Sequence, residues 1–307
     1  MGGGSAIRQY QRRFLQGESE ETGRKEDCEE GLRKARALTF GEYGVRETKS
    51  GEYELVKKDT TVGVFSKACI EKERVLFLLS RGTLLEVSER GVREIASPEK
   101  ATLMGMIVSD GGTTFRRGLR SDGRYRTEYL IRFHSRDKEL VEIFDKLSEV
   151  VYHKESLHYT RKRNGLITSV VYSKGIFYDL GDFNVKPAPY EFHVPREHLD
   201  DEGKRAFLRG FFSGDGNISV SSEGKVTIRF YSTCRSGIEE LHQTLKDLGF
   251  HPNKIREEKE LRGKTTYNFT IPREEHIKFI KDIGSYRPRH MHILEEIKRE
   301  AEGREEE

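Results

Sequence analysis

Two aspartates stand in matching surroundings. The stretches LMGMIVSDG at 103–111 and LRGFFSGDG at 208–216 share a leucine, a glycine and an apolar pair at helical spacing, then a small residue and Asp-Gly. Each reads as a helix ending at a glycine cap. Gly105 with Ser109, and Gly210 with Gly214, are small residues one helical turn apart, so two such helices can pack backbone to backbone. That pairing would bring Asp110 and Asp215 together at adjacent helix C-termini, where the macrodipole already disfavours negative charge. A divalent cation relieves the repulsion. Oxygen ligands suit Mg²⁺, with Mn²⁺ as a substitute and with waters and substrate phosphates completing the shell. Such a pair suits metal-assisted phosphodiester hydrolysis. The alternative is that each carboxylate only caps a helix turn.

The elements around each aspartate recur in the same order at nearly constant spacing. A hairpin spans Thr113 to His134 in the first copy and Asn217 to Ser232 in the second, with turns at Ser121–Arg124 and Ser222–Lys225. An amphipathic helix follows, carrying Leu140, Ile143, Phe144 and Leu147, or Ile238, Leu241, Leu245 and Leu248. A second hairpin turns at Arg163–Gly165 or Leu261–Lys264, and a helix with Asp179-Leu180-Gly181 or Asp282-Ile283-Gly284 closes each half. The fold class expected is therefore α+β, built as tandem pseudo-twofold αββαββα repeats over residues 97–196 and 197–300, with a charged tail at 301–307. Ser97-Pro98 supplies the start of the first motif helix.

Residues 1–96 have no counterpart in the repeat and form an N-terminal, partly β-rich extension. Ile7 to Phe14 is a short basic stretch, in which Arg8, Arg12 and Arg13 could hold flanking phosphates. Val64 to Val92 reads as β-rich, with a hairpin turning at Ser80-Arg81-Gly82.

The strands carry a nucleic-acid signal. Tyr125, Thr127, Tyr129, Ile131 and Phe133 alternate with Arg124, Arg126, Glu128, Arg132 and His134, leaving Leu130 as an exception. Val226, Ile228 and Phe230 alternate with Lys225, Thr227, Arg229 and Tyr231. With Arg116, Arg117, Arg120, Arg161, Arg163 and Lys264 these form an elongated basic surface suited to phosphates and to base edges in a major groove. For either strand alone, an ordinary solvated sheet face accounts for the pattern equally well.

These two motifs resemble the paired LAGLIDADG motifs of single-chain, archaeal-type homing endonucleases, over roughly residues 97 to 300. Leu103, Gly105, Ile107, Asp110 and Gly111 stand where that family has L, G, I, the second D and G, as do Leu208, Gly210, Phe212, Asp215 and Gly216. Val108 and Ser213 replace the first motif aspartate, a position that varies in the family. The resemblance implies a homing-endonuclease-like saddle of strands on double-stranded DNA, with Asp110 and Asp215 as the metal-binding catalytic pair. It also implies Lys186 as a catalytic lysine, while the second half offers Arg289-His290 in the equivalent place. The implied activity is a Mg²⁺-dependent monomeric endonuclease that cuts a long, rare site. The competing reading is an RNA maturase acting on intron RNA, or a DNA-binding regulator that does not cleave. The chain ends Arg304-Glu-Glu-Glu307 without the His-Asn ending of an intein, so a freestanding enzyme is expected.

Composition narrows the rest. With 55 Lys+Arg against 52 Asp+Glu, partner choice depends on where the charges sit. Charge-rich composition without Trp fits a thermophile. No apolar run approaches the ~18 to 20 residues a membrane helix needs, and no signal peptide is evident, so the cytoplasm is expected. Met1 to Ser5 is set aside as a tag or flexible start. Cys28, Cys69 and Cys234 are odd in number and widely spaced, which supports neither a disulfide framework nor a zinc ribbon. Asp215 to Ser219 begins like a calcium loop, but Val220 and Val226 replace the Gly and Glu that loop requires. His290 and His292 lack Cys partners and are expected at the surface or on phosphates. No phosphate-cradling glycine loop supports nucleotide hydrolysis.

Overall fold

A computed structural model describes residues 37–40, 43–47, 52–57, 60–65, 68–71, 74–88, 91–119, 123–185, 191–259 and 265–305. In it the chain divides into two units, Met1–Ser97 and Pro98–Glu307.

The first unit is two antiparallel meanders. One runs β1 (Ala37–Phe40), β2 (Tyr43–Glu47), β3 (Tyr53–Lys57), β4 (Thr60–Phe65), and the other β5 (Ala68–Glu71), β6 (Arg74–Leu78), β7 (Thr83–Ser88), β8 (Gly91–Ala96). Alternation on β2, β3, β6 and β7 turns Val45, Tyr53, Leu55, Val75, Phe77 and Val87 to one buried cluster, so the two sheets share a core. The Ser80–Gly82 hairpin forms as expected: Arg81 and Gly82 take φ of 54° and 63°, and the Thr83 amide donates to the Ser80 carbonyl at 3.0 Å. Buried Glu86 lies between Arg74 (3.3 Å) and Arg93 (3.0 Å), which compensate its charge. Strand structure begins at Ala37, well before the Val64 expected from the sequence. The basic stretch Ile7 to Phe14 lies outside the described residues.

The second unit realises the duplication. Its first half runs α1 (Pro98–Asp110), β9 (Gly111–Leu119), β10 (Tyr125–Ser135), α2 (Lys138–Tyr152), β11 (Leu157–Arg161), β12 (Leu166–Tyr172), α3 (Lys174–Asp182). Its second half runs α4 (Asp201–Asp215), β13 (Asn217–Val220), β14 (Val226–Ser232), α5 (Arg235–Asp247), β15 (Arg256–Lys259), β16 (Thr265–Ile271), α6 (His276–Asp282). The sheets have equivalent strand orders, β9-β10-β12-β11 and β13-β14-β16-β15. The fold is α+β with two αββαββα halves. Helices cover one face of each sheet through aromatic contacts: Phe133 stacks on Phe144 of α2 at 5.0 Å, and Phe230 meets Phe212 of α4 at 4.9 Å and Phe279 of α6 at 6.1 Å. The first hairpin is the longer, with strands of 9 and 11 residues against 4 and 7 in the second.

One element falls outside the repeat. After Gly284, whose φ is 66°, α7 (Pro288–Glu305) adds 18 residues of helix, with Pro288 at its first position. It crosses the boundary set between the second repeat and the charged tail.

Lys100 on α1 is fully buried, with its ammonium 2.9 Å from Asp179 of α3 and 3.8 Å from the Phe183 ring centroid. The Tyr152 hydroxyl donates to the same carboxylate at 2.7 Å. Lys100→Met strands that carboxylate inside the first half and is expected to destabilise the protein by about 3–5 kcal/mol, read by denaturant unfolding.

Candidate functional site

Helices α1 and α4 touch along their glycine faces. A Cβ on Gly105 would sit 2.2 Å from the Phe207 carbonyl oxygen, and one on Gly210 would sit 2.2 Å from that of Thr102. One turn on, a Cβ on Gly214 would overlap the Ser109 hydroxyl at 2.1 Å and lie 3.3 Å from the Asp110 amide. The contact therefore continues to the C-termini and sets Asp110 beside the last turn of α4, which ends in Asp215. Gly111 and Gly216 are not the left-handed caps expected: Gly216 is extended (φ −72°, ψ 156°). Clearance selects glycine at both positions, because a Cβ would meet the Arg132 carbonyl oxygen at 2.4 Å or the Phe212 ring at 2.3 Å.

Both carboxylates act on the hydroxyl of Tyr231 on β14. Burial chiefly, then Asp215 and Asp110, raise its pKa, while Arg287 lowers it. Burial also raises the Asp110 pKa, opposed by Arg287 and assisted by Asp137. Arg287, in the link between α6 and α7, is a site residue that sequence reasoning missed. Its Nη2 donates to the Gly214 carbonyl at 2.7 Å and lies 3.4 Å from Asp110 Oδ2, while its Nε lies 3.3 Å from Asp137 Oδ2. Asp137 is the N-cap of α2, yet its side chain accepts no capping hydrogen bond. The basic group expected here was Arg289, which instead donates to Asn217 Oδ1 at 3.3 Å. His290 is not on the surface: it is fully buried against Phe212, its pKa pushed down to about 3 by burial and by Arg287 and Arg289. His292 is exposed, 3.5 Å from Glu296. Lys186 lies outside the described residues.

The donor set fits a hard divalent cation in chemistry. Asp110, Asp215 and the Gly214 carbonyl offer oxygen only. Among the described residues no group of three or more His, Cys, Asp or Glu is arranged to hold an ion. A cation here would thus depend on water and phosphate for the rest of its shell, the usual mode for Mg²⁺.

Strand register assigns the basic residues to faces. On the sheet face opposite the helices, Arg116, Arg126, Arg132 and His134 from β9 and β10 share a side with Tyr159 and Arg161 of β11. Burial, Arg132 and Arg161 lower the His134 pKa, in keeping with a cationic cluster. Arg117 pairs with Thr127 and so shares the helix-side face with Tyr125 and Tyr129, away from the other arginines. That corrects its placement on the basic surface. Arg124 precedes β10, and Arg163 lies in the β11–β12 turn. In the second half Lys225 precedes β14, and Arg229 occupies the helix-free face. Arg120 and Lys264 lie outside the described residues. Two acids temper the surface: Glu128 pairs with Arg116 (2.6 Å) and Arg126 (3.6 Å), and Glu258 lies 3.9 Å from Arg229.

Residues 202–284 match the family model of the LAGLIDADG-like domain. The match covers the second half of the repeat. Among solved structures, the chain is similar to the homing endonuclease I-DmoI in complex with DNA and Ca, with 18% identity, a TM-score of 0.46, and coverage of 61% of this chain and 88% of that one. It is also similar to full-length DUF199/WhiA from Thermatoga maritima, with 19% identity, a TM-score of 0.44, and coverage of 68% of this chain and 61% of that one. No curated protein matches the chain. No described helix is long and apolar enough to cross a membrane.

The register makes a contrast testable. Salt-dependent affinity for duplex DNA is expected to fall in Arg132→Ala and in Arg229→Ala, each lowering the salt slope by about one. Arg117→Ala should leave both affinity and slope unchanged. Equal losses at all three positions would remove the helix-free face as the phosphate surface.

Proposed function

We propose that the chain is a monomeric, site-specific endonuclease that holds double-stranded DNA across the helix-free faces of its two sheets and hydrolyses one phosphodiester in each strand beside Asp110 and Asp215. The observation that supports this reading is that the two aspartates end helices in glycine-to-backbone contact, and that both act electrostatically on Tyr231. Asp110, Asp215 and the Gly214 carbonyl would hold Mg²⁺, or Mn²⁺ in its place. Such an ion supplies an activated water and stabilises the leaving oxygen. The chain's own residues do the rest: the glycine faces fix the carboxylates, and Arg116, Arg126, Arg132 and Arg161 on the helix-free face position phosphates.

A second reading has one observation in its favour. Arg287 already partners Asp110, so the same surface could bind nucleic acid without cutting it, as a regulator or as a maturase acting on intron RNA. Selection of bound duplexes from a random library, followed by Mg²⁺-dependent cleavage of the recovered sequences, separates the two. Linear product at a defined position supports the endonuclease. Retention of DNA without cleavage, under conditions where Mn²⁺ binds the protein, supports the regulator.

A further inference from the structure

Arg287 lies where a cation belongs. One of its nitrogens contacts both a carboxylate oxygen of Asp110 and the Gly214 carbonyl, two of the three donors offered to a metal. Its guanidinium thus brings a positive charge against both oxygens.

The backbone delivering it is well tied down. The Ser213 hydroxyl of α4 accepts from the Tyr286 amide at 2.8 Å, Ser285 Oγ accepts from the Arg287 amide at 3.2 Å, and the Arg209 guanidinium donates to the Ile283 carbonyl. Tyr286 is buried, and Pro288 starts α7 immediately afterwards. What can move is the long side chain. Its second anchor, Asp137, is 43% exposed and gives it an alternative partner toward solvent.

We propose that Arg287 is a resident cation of the aspartate pair, and that a divalent ion gains the Asp110–Gly214 oxygens only when a DNA phosphate draws the guanidinium away. This rests on the reading of Asp110 and Asp215 as a metal site. The physical reason is direct: a guanidinium and a divalent ion sharing oxygens would repel each other a few ångströms apart in a partly desolvated site. Phosphate is the natural competitor, because arginine binds it through paired charge-assisted hydrogen bonds. Metal and DNA binding are then reciprocally coupled, each raising affinity for the other.

Mn²⁺ binding to the full chain, followed by the loss of the free-ion electron paramagnetic resonance signal, tests the idea without any cleavage assay. The wild type is expected to bind Mn²⁺ weakly alone and more tightly with random-sequence duplex DNA at low salt. Arg287→Gln should bind Mn²⁺ about tenfold tighter or more without DNA, and DNA should add little. Its thermal midpoint should fall without metal and recover in millimolar Mn²⁺, whereas the wild-type midpoint should rise much less with metal alone. Arg287→Met, which keeps most of the apolar stem, makes the same comparison if the glutamine variant does not fold. Equal Mn²⁺ affinity in the wild type and a folded Arg287 variant, abolished in both by Asp110→Asn, would overturn the role of Arg287 and leave the metal site standing. Mn²⁺ binding insensitive to both Asp110→Asn and Asp215→Asn would overturn the metal site, and the competition with it.

Discussion

Asp110→Asn and Asp215→Asn are each expected to reduce linearisation of a target plasmid by about a thousandfold or more while leaving its binding largely intact. The amide keeps the size of the side chain but removes the charge that would hold a cation, and neither residue belongs to the arginine-bearing strands. Folding should not suffer at position 110. The folded-state pKa of Asp110 is raised by burial, so its ionisation weakens folding as pH rises from the unfolded pKa through the folded one. At neutral pH the asparagine removes that penalty, and the thermal midpoint of Asp110→Asn should not drop. Plasmid cleavage resolved into nicked and linear forms is the measurement. A variant that linearises its target at the wild-type rate would take that residue out of the active site.

Gly210→Ala is expected to lower both stability and activity sharply. The new Cβ would fall 2.2 Å from the Thr102 carbonyl oxygen and 3.1 Å from the Met106 amide nitrogen, both backbone atoms inside a helix. No side chain can swing away to make room, so α1 and α4 must separate. Overpacking of this kind costs about 1–3 kcal/mol or more. The displacement passes straight to the helix ends, where a misplacement of about 1 Å can cost a hundredfold in rate. Gly105→Ala should behave alike, against the Phe207 carbonyl. Gly118→Ala, with nothing within 4 Å of its Cβ, serves as the control. Denaturant unfolding and cleavage measured on the same samples decide the matter, and a Gly210→Ala protein as stable and active as the Gly118 variant would contradict the packing argument.

What was legible in the sequence is what repeats or alternates. Two copies of one pattern exposed α1, α4 and their small-residue faces, and the order of hairpins and helices around them. The Ser80–Gly82 turn was legible because a glycine-containing triplet separates two apolar runs, Val75–Leu79 and Thr83–Val87. Position Arg117 shows where counting arginines fails: Arg116 and Arg117 are neighbours on one strand, so the pleat must send them to opposite faces, and only the register says which. Arg287 left no signal at all. It occurs once, in a link that joins a helix of the repeat to one outside it, and its importance comes from a contact across 177 residues of chain. Strands β1 to β3 were missed for a third reason. They are only four or five residues long, so alternation has little room to show.

The unequal hairpins give the second unit a direction. A binder with true twofold symmetry can settle on a duplex in either of two poses related by rotation, and it has no means of preferring one. Strands of 9 and 11 residues on one side and 4 and 7 on the other remove that equivalence. On DNA, the longer arm would span more of one flank than the shorter arm spans of the other. A sequence read by such a protein need not be a palindrome, and inverting it end for end would present the wrong flank to each arm.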